Sequence, residues 1–295
     1  MTWEGDFVAS ATGSASGAIT AWNALVGAVR SEAPGNRLDE ARVAVASVLT
    51  PSGALVGPAG AVNSLAEQFT ADVSAVDDGQ RTVALAELGP SALPFVQAVW
   101  VCDLGTRARG ALDELFGSVV LDDPMADGPG ADVSAWDAQE RFLREVAKLG
   151  SLDPVTSELV RLRGARAHGC RLCQSLRNRT AVQTAGEAEL FERTEAFGDG
   201  GTTERHLAAV ALVDAIIWQP MTWPSGLAER VREWFSPAEA IELVLDLVRN
   251  AANKIAVVFG ADAPHVTDGV EYYDIDPTSG ELVYGLPPVP LQAER

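Results

Sequence analysis

The sequence predicts an all-α protein closed by a small C-terminal hairpin. Three observations carry that expectation. Alanine, leucine, valine, glutamate and arginine dominate, and apolar residues recur at helical spacing over most of the length. Capping residues open the stronger helices and glycine closes them. There is little strand-like alternation of apolar and polar residues before residue 265.

In chain order, the spacing predicts helices over 38–50, 92–117, 136–149, 154–168, 171–184, 204–217 and 236–259. Asp153-Pro154 opens the fourth, with an acidic cap before a proline in the first turn. The last has the fullest signal. Ser236 caps it, Pro237 sits in its first turn, and Glu239 completes a Ser-x-x-Glu capping box. It then runs through Ile241, Val244, Leu245, Val248, Ala252 and Ile255 to Gly260, a natural stop. Residues 270–285, VEYYDIDPTSGELVYG, alternate and turn at Asp276-Pro277-Thr278-Ser279-Gly280, which predicts a hairpin. The prolines of the final LPPVPLQAER keep it extended.

Gly/Pro/Ser-rich breaks lie at 51–61 and 122–132. The second is the better boundary and gives an expected division into 1–130, 131–265 and a hairpin with tail at 266–295. It separates two stretches that resemble each other. When 93–117 is laid on 236–260, Pro94, Val101, Asp103, Leu104, Ala108, Phe116 and Gly117 meet Pro237, Val244, Asp246, Leu247, Ala251, Phe259 and Gly260. A duplicated pair with a degenerate N-terminal copy is one reading; two alanine-rich helices alike by composition is the other.

The chain has 295 residues, 22 Lys plus Arg against 41 Asp plus Glu, and a formal net charge of −19. Such a field repels polyanions, so neither nucleic acid nor an anionic membrane is the expected partner. Three cysteines are too few for a disulfide scaffold, and an odd count fits a reducing compartment. The N-terminal MTWEGDFVAS is acidic where a signal peptide is basic. No apolar run was seen to approach the roughly 20 residues of a membrane span. A cytoplasmic protein is expected.

One segment looks chemical. Residues 158–179 read ELVRLRGARAHGCRLCQSLRNR, with Cys170 and Cys173 as a C-x-x-C behind a helix-breaking Gly169. A helix restarting near Cys170 would aim its free N–H groups at the first thiol and put both thiols on one face. Six arginines, Arg161, Arg163, Arg166, Arg171, Arg177 and Arg179, reverse the local charge of an acidic protein. Cations and helix N-termini stabilise thiolate, and a second thiol one turn away can resolve an oxidised first one as a disulfide. Other readings stand beside it. The pair can be half a zinc site, although no second C-x-x-C exists and His168, His206 and His265 are the only histidines. The cysteines can be buried packing residues, and the arginines a solvated face paired with Glu158 and other acids. Cys102, among Val99, Trp100, Val101 and Leu104, reads as core.

Glu158 lies twelve residues before Cys170. The pattern Glu-x11-Cys-x-x-Cys, the stretch LVRLRGARAHGCRLCQSL and the downstream FSPAEAIELVLDLVRNAANKIAVVFGAD together resemble the alkylhydroperoxidase D-like and carboxymuconolactone decarboxylase family, over roughly residues 136–262. The resemblance implies an all-α fold, a thiol peroxidase or related redox activity, and assembly as a homo-oligomer, here a dimer or trimer. It implies that Cys173 attacks the hydroperoxide, that Cys170 condenses with it, that Glu158 accepts protons, and that an external thiol donor restores the pair. The family's relay histidines, beside the second cysteine and four residues after it, are Leu172 and Arg177 here. Arg177 stays charged and cannot be a base; it would instead hold the thiolate or bind an anionic substrate. His168 is either a substitute in the relay or, more simply, a surface histidine at a helix end.

Three functions compete: a hydroperoxide reductase, a decarboxylase- or isomerase-like enzyme whose arginines clamp a small carboxylate or lactone, and a non-catalytic binding or assembly protein. The aromatic and proline-rich segment 216–224 reads as a pocket or interface loop, or as core. No cofactor is expected, because no dinucleotide-type or phosphate-binding glycine loop and no complete metal-ligand set is written in the sequence.

Overall fold

The computed structural model describes residues 3–33, 35–50, 59–192 and 202–290. Most of the 51–61 break and the end of the tail lie outside them. The described residues form a mainly helical protein with one small sheet. Among the described residues, six α-helices precede the 122–132 break: α1 (Trp3–Thr12), α2 (Ser16–Glu32), α3 (Arg37–Leu49), α4 (Ala61–Asp72), α5 (Asp78–Leu88) and α6 (Ala92–Phe116). After it come α7 (Ala135–Ala147), α8 (Pro154–Ala167), α9 (Arg171–Gln174), β1 (Leu176–Asn178), α10 (Arg179–Ala185) and α11 (Glu189–Glu192). The chain closes with α12 (Glu204–Trp218), α13 (Leu227–Trp234), α14 (Pro237–Asn250), α15 (Asn253–Val258), β2 (Glu271–Ile275) and β3 (Leu282–Leu286).

α6 is the axis of the fold. It is apolar around its circumference, as an interior helix must be, and is buried nearly throughout from Phe95 to Phe116. Trp22 of α2 meets Trp100 of α6 and Phe142 of α7 edge to face, and the last two rings are tilted to each other, with ring centroids 5.3 to 6.4 Å apart. One continuous apolar cluster reaches from Phe7 to Val258, so the core crosses the 122–132 break, with α2 packed on α7 and α1 on α14. A second, smaller cluster holds α8, α10 and α11 together through Leu159, Leu162, Val182 and Phe191. Contrary to the expectation that no apolar run approaches a membrane span, the stretch Asp78–Phe116 contains an 18-residue window of mean hydropathy 1.2, apolar enough to cross a membrane, and half of that window is buried inside the fold.

The caps at Asp153 and Ser236 form as expected, the second as a full capping box. Two expected helices are corrected. The 171–184 segment stops after one turn at Gln174, crosses as β1, and restarts at Arg179 under an Asn178 cap. The cause is competition for carbonyls. Arg161 takes the oxygens of Cys173 and Leu176, and Arg177 takes those of Gln174 and Leu176. A continued helix would need these acceptors. The 236–259 helix breaks at Ala251–Ala252 into α14 and α15. In the aligned pair, α6 runs unbroken through Ala108 while its counterpart turns at Ala251, yet both end on left-handed glycines, Gly117 at φ +66° and Gly260 at φ +65°.

The hairpin forms as β2 and β3, antiparallel, with a register irregularity between Tyr272 and Asp274. The sequence reading saw little strand signal before residue 265. β1 is the exception, pairing parallel to β2 with Asn178 opposite Tyr273.

Candidate functional site

The C-x-x-C sits where two helix ends converge. At the end of α8, Gly169 N–H reaches Arg166 O and Cys170 N–H reaches Ala165 O, the paired bonds of a Schellman turn. Gly169 has φ +65°, and a Cβ there would lie 2.9 Å from Ser74 Cβ, so both backbone and space demand glycine. At the end of α15, Gly260 and Ala261 make the same two bonds to Val257 and Ala256. That second turn delivers Asp262. Its carboxylate accepts from the Arg171 backbone N–H at 2.9 Å and pairs with the Arg171 guanidinium at 2.7 Å, while its carbonyl accepts from Leu172 N–H. The Arg171 bonds hold the Asp262 carboxyl below its ordinary range.

Cys170 and Cys173 are joined as a disulfide, with Cα atoms 5.3 Å apart. Cys170 is 1% exposed, and its Sγ accepts the Cys173 N–H at 3.2 Å. Cys173 is half-buried and lines a cleft of about 490 Å³, a size ordinary for small-molecule sites. Leu143, Leu172, Leu176, Leu282 and Tyr284 make its apolar wall; Arg144, Arg161, Arg249, Asn250 and Asn253 bring polar groups to it.

Glu158 is buried behind this wall, and both of its oxygens are committed. Arg161 donates Nε to Oε2 at 2.6 Å and Nη2 to Oε1 at 2.7 Å; Asn178 N–H and the Tyr273 hydroxyl add bonds of 2.9 and 3.2 Å. Arg161 also lies over the Tyr273 ring at 5.4 Å. Through its bonds to Cys173 O and Leu176 O, Arg161 ties Glu158 to the cysteine turn.

His168 is not on the surface. It is 5% exposed, its Nδ1 lies 3.0 Å from Asn253 Oδ1, and burial followed by the Lys254 charge depresses its pKa to about 3. It is therefore a neutral ring that donates to Asn253. Arg177 is also corrected. Its side chain is buried, pairs with Glu192 at 2.6 Å and bonds two carbonyls, so it is not free to hold a thiolate or an anion. The other arginines of the segment are likewise engaged: Arg163 with Asp214, Arg171 with Asp262, Arg166 with Phe191 O and Arg179 with Pro287 O. The six do not form an open carboxylate clamp. Cys102 is fully buried, and burial pushes its thiol up to about 12, as befits a core residue.

Among the described residues no group of three or more His, Cys, Asp and Glu is placed to hold a metal ion. Asp262, Tyr273, Asn253 and Arg249 were missed by sequence reasoning. The only trace of any of them is Asp262 directly after the Phe-Gly-Ala stop of the closing helix.

The chain is 42% identical over 229 residues to the Mycobacterium tuberculosis protein described as "Uncharacterized protein Rv2313c" (strain H37Rv), the match covering 76% of this chain and 80% of the relative. The same figures hold for "Uncharacterized protein MT2376" of strain CDC 1551. No family model and no solved structure matches.

Proposed function

The chain belongs to the same family as Rv2313c of Mycobacterium tuberculosis, and we propose that it is a thiol-dependent hydroperoxide reductase cycling Cys170 and Cys173. The observation that carries the reading is positional. Cys173 opens onto a largely apolar cleft, and Cys170 is buried directly behind it within bonding distance. An attacking thiol has to meet substrate, whereas a resolving thiol has only to meet its partner.

In the reduced protein, the Cys173 thiolate attacks the outer oxygen of an organic hydroperoxide. The S–O bond forms, the O–O bond breaks, and the departing alkoxide takes a proton to become the alcohol. The Cys170 sulfur then attacks the Cys173 sulfenic acid, water leaves, and the disulfide closes. An external dithiol returns two electrons and two protons by exchange.

Arg161 places positive charge on the cleft wall beside the cysteine turn, and nearby cations favour thiolate. The resemblance stated above gives Glu158 the role of proton acceptor. With both oxygens bonded here, we assign it instead as a positioning residue that holds Arg161, and through it the carbonyl of Cys173. Without an imidazole at the thiols, the proton is released through the open side of the cleft, and oxidation follows the thiolate fraction.

The test uses fully reduced protein mixed with stoichiometric cumene hydroperoxide and followed by intact-mass and peptide mass spectrometry. A fast Cys170–Cys173 disulfide that Cys173→Ser abolishes is the expected result. In Cys170→Ser, Cys173 should stop at the sulfenic acid. Both thiols remaining reduced in folded protein would overturn the proposal.

A further inference from the structure

We propose that Arg249 is a carboxylate anchor, and that the cleft takes an amphipathic organic acid whose apolar body lies along Leu143, Leu172 and Tyr284. Placing the reactive end of such a molecule at Cys173 rests on the thiol reading above. The anion site itself does not.

The starting point is which cation of the cleft is left without a carboxylate. Arg144 pairs with Glu281 at 2.9 Å and reaches Glu140 at 4.0 Å, so the two acids on the cleft wall already share a cation. Arg161 is held by Glu158. Arg249 has no ion-pair partner among the described residues. Its Nε donates to Leu143 O on α7 at 3.1 Å, which fixes the direction of the guanidinium and leaves both terminal nitrogens without a bonded protein partner there.

An arginine in the last turn of a helix needs no ligand to be favourable, because it faces the carbonyl end of the dipole. Arg249 goes further. Its side chain crosses to α7, and it lines both the Cys173 cleft and a second cleft of about 430 Å³ on the far side of Arg161 and Tyr273. Asp246, one turn earlier in α14, has its carboxyl buried and bonded to Ser157 and makes no ion pair with Arg249.

The break at Ala251–Ala252 completes the arrangement. Asn250 and Asn253 flank it and both line the cleft. His168 occupies Asn253 Oδ1, so the Asn253 amide keeps its N–H₂ as a donor in the cleft that Arg249 also lines. Arginine and amide donors on one side of an apolar wall suit a carboxylate attached to a hydrocarbon body, because the guanidinium fork matches carboxylate geometry and the wall excludes water. A protein of net charge −19 repels anions at long range, so an anion has to be recognised by a local cation such as this one.

The experiment is calorimetric titration of the full-length disulfide form with octanoate and with octan-1-ol, which share a chain and differ in charge. Wild type should bind octanoate at least tenfold tighter. Arg249→Gln should reduce octanoate to the level of the alcohol and leave the alcohol unchanged, while Arg249→Lys retains part of the preference. Equal binding of the two probes by wild type, or undiminished octanoate binding by folded Arg249→Gln, overturns the anchor. If Arg249→Gln does not fold, the wild-type preference and the Arg249→Lys variant decide.

A second arm compares oxidation of the reduced protein by a fatty-acid hydroperoxide and by cumene hydroperoxide. Arg249→Gln should raise the half-saturating concentration of the first at least tenfold and leave the second alone. If neither peroxide oxidises the thiols while octanoate discrimination persists, the thiol reading fails and the anchor stands. If both oxidise them and Arg249→Gln changes neither, the anchor fails and the thiol reading stands.

Discussion

Two buried carboxylates, Asp103 and Glu158, are built into this fold by the same device and to different ends. Asp103 lies in the middle of α6, fully buried, bonded to Arg107 at 2.5 Å and to Lys254 at 2.6 Å. Arg107 passes on to the carbonyls of Thr70, Ile216 and Ile217. Glu158 is bonded to Arg161, which passes on to the carbonyls of Cys173 and Leu176. In each, an acid fixes an arginine and the arginine clasps another element. The surroundings differ. Asp103 and Lys254 border a void of about 10 Å³, at the threshold for holding one water, and Arg107 also lines a cleft of about 620 Å³; Glu158 borders a cleft of about 430 Å³, and Arg161 lies between that one and the cleft of about 490 Å³. The sealed carboxylate, Asp103, holds α6, α15 and α12 together through Lys254 and Arg107. The vented pair has room on both sides for water and for rearrangement.

The largest effect should therefore come from Asp103→Ala. It leaves Arg107 and Lys254 as two uncompensated buried cations, a loss of about 3–5 kcal/mol. Urea unfolding followed by tryptophan emission reads it directly, since Trp100 lies on the same helix. Glu158→Gln should cost less, roughly 1.5–3 kcal/mol, because it strands one cation instead of two and the amide oxygen still accepts from Arg161. Equal losses for the two would break the comparison. Glu158→Gln also sharpens it. A positioning role predicts slower thiol oxidation with the same pH profile, whereas a proton acceptor would lose a limb of that profile.

Next in size is Gly169→Ala. A left-handed residue at φ +65° costs an L-amino acid about 1–2 kcal/mol, and the new Cβ presses on Ser74. Because Gly169 directly precedes Cys170, the same substitution should also slow disulfide closure. A stability loss with unchanged closure would show that the Schellman turn does not set the thiol geometry.

What could be read in the sequence follows from how local each signal is. The Gly169–Cys170 junction, the Ser236 and Asp153 caps and the Asp276–Gly280 turn were legible because each is complete within a few residues. The helix break at Ala251–Ala252 was not, since alanine is the best helix former and nothing nearby opposes it. Its visible trace is Lys254, a charge in an apolar run, whose partner Asp103 lies 151 residues earlier. The 171–184 helix failed for a related reason. Its carbonyls are claimed by Arg161, and the strand it becomes is completed by residues 271–273, nearly a hundred positions on. At the site, cysteines and Glu158 share one short segment and were found. Asp262, Tyr273, Asn253 and Arg249 reach it only through tertiary packing, and His168 was misplaced because its burial depends on Asn253.

The second cleft allows a pH test of the same contrast. Glu242 is pushed up to about 7 by burial and by Asp246, and Asp246 to about 6 by burial, from ordinary values of 4.5 and 3.8. The folded chain then holds protons that the unfolded chain has released, so this pair's contribution to stability falls as pH rises from about 4 to about 7 and is flat above. His168 acts oppositely. With its pKa lowered to about 3 from 6.5, the unfolded chain takes a proton that the fold refuses, and stability falls as pH drops below 6.5. Urea midpoints measured across this range should show the opposing slopes. Glu242→Gln should remove most of the decline toward neutral pH and leave the acid limb, which belongs to the sealed region. A decline that survives in Glu242→Gln would place its source elsewhere.

The smallest expected effect belongs to Tyr273→Phe. The hydroxyl donates one bond of 3.2 Å to Glu158 Oε2, an oxygen that already holds Arg161 Nε at 2.6 Å. Phenylalanine keeps the ring, its stacking under Arg161 and its strand pairing with Asn178. What is lost is one neutral donor to a carboxylate that keeps its ionic partner, about 0.5–1.5 kcal/mol and toward the lower end. Thiol oxidation should stay within about twofold of wild type, since the bond from Arg161 to Cys173 O does not depend on the hydroxyl. A Tyr273→Phe loss as large as that of Glu158→Gln would mean that the hydroxyl, and not the guanidinium, holds the carboxylate in place. The vented pair would then be a three-member network, with its resemblance to the sealed one confined to the arginine.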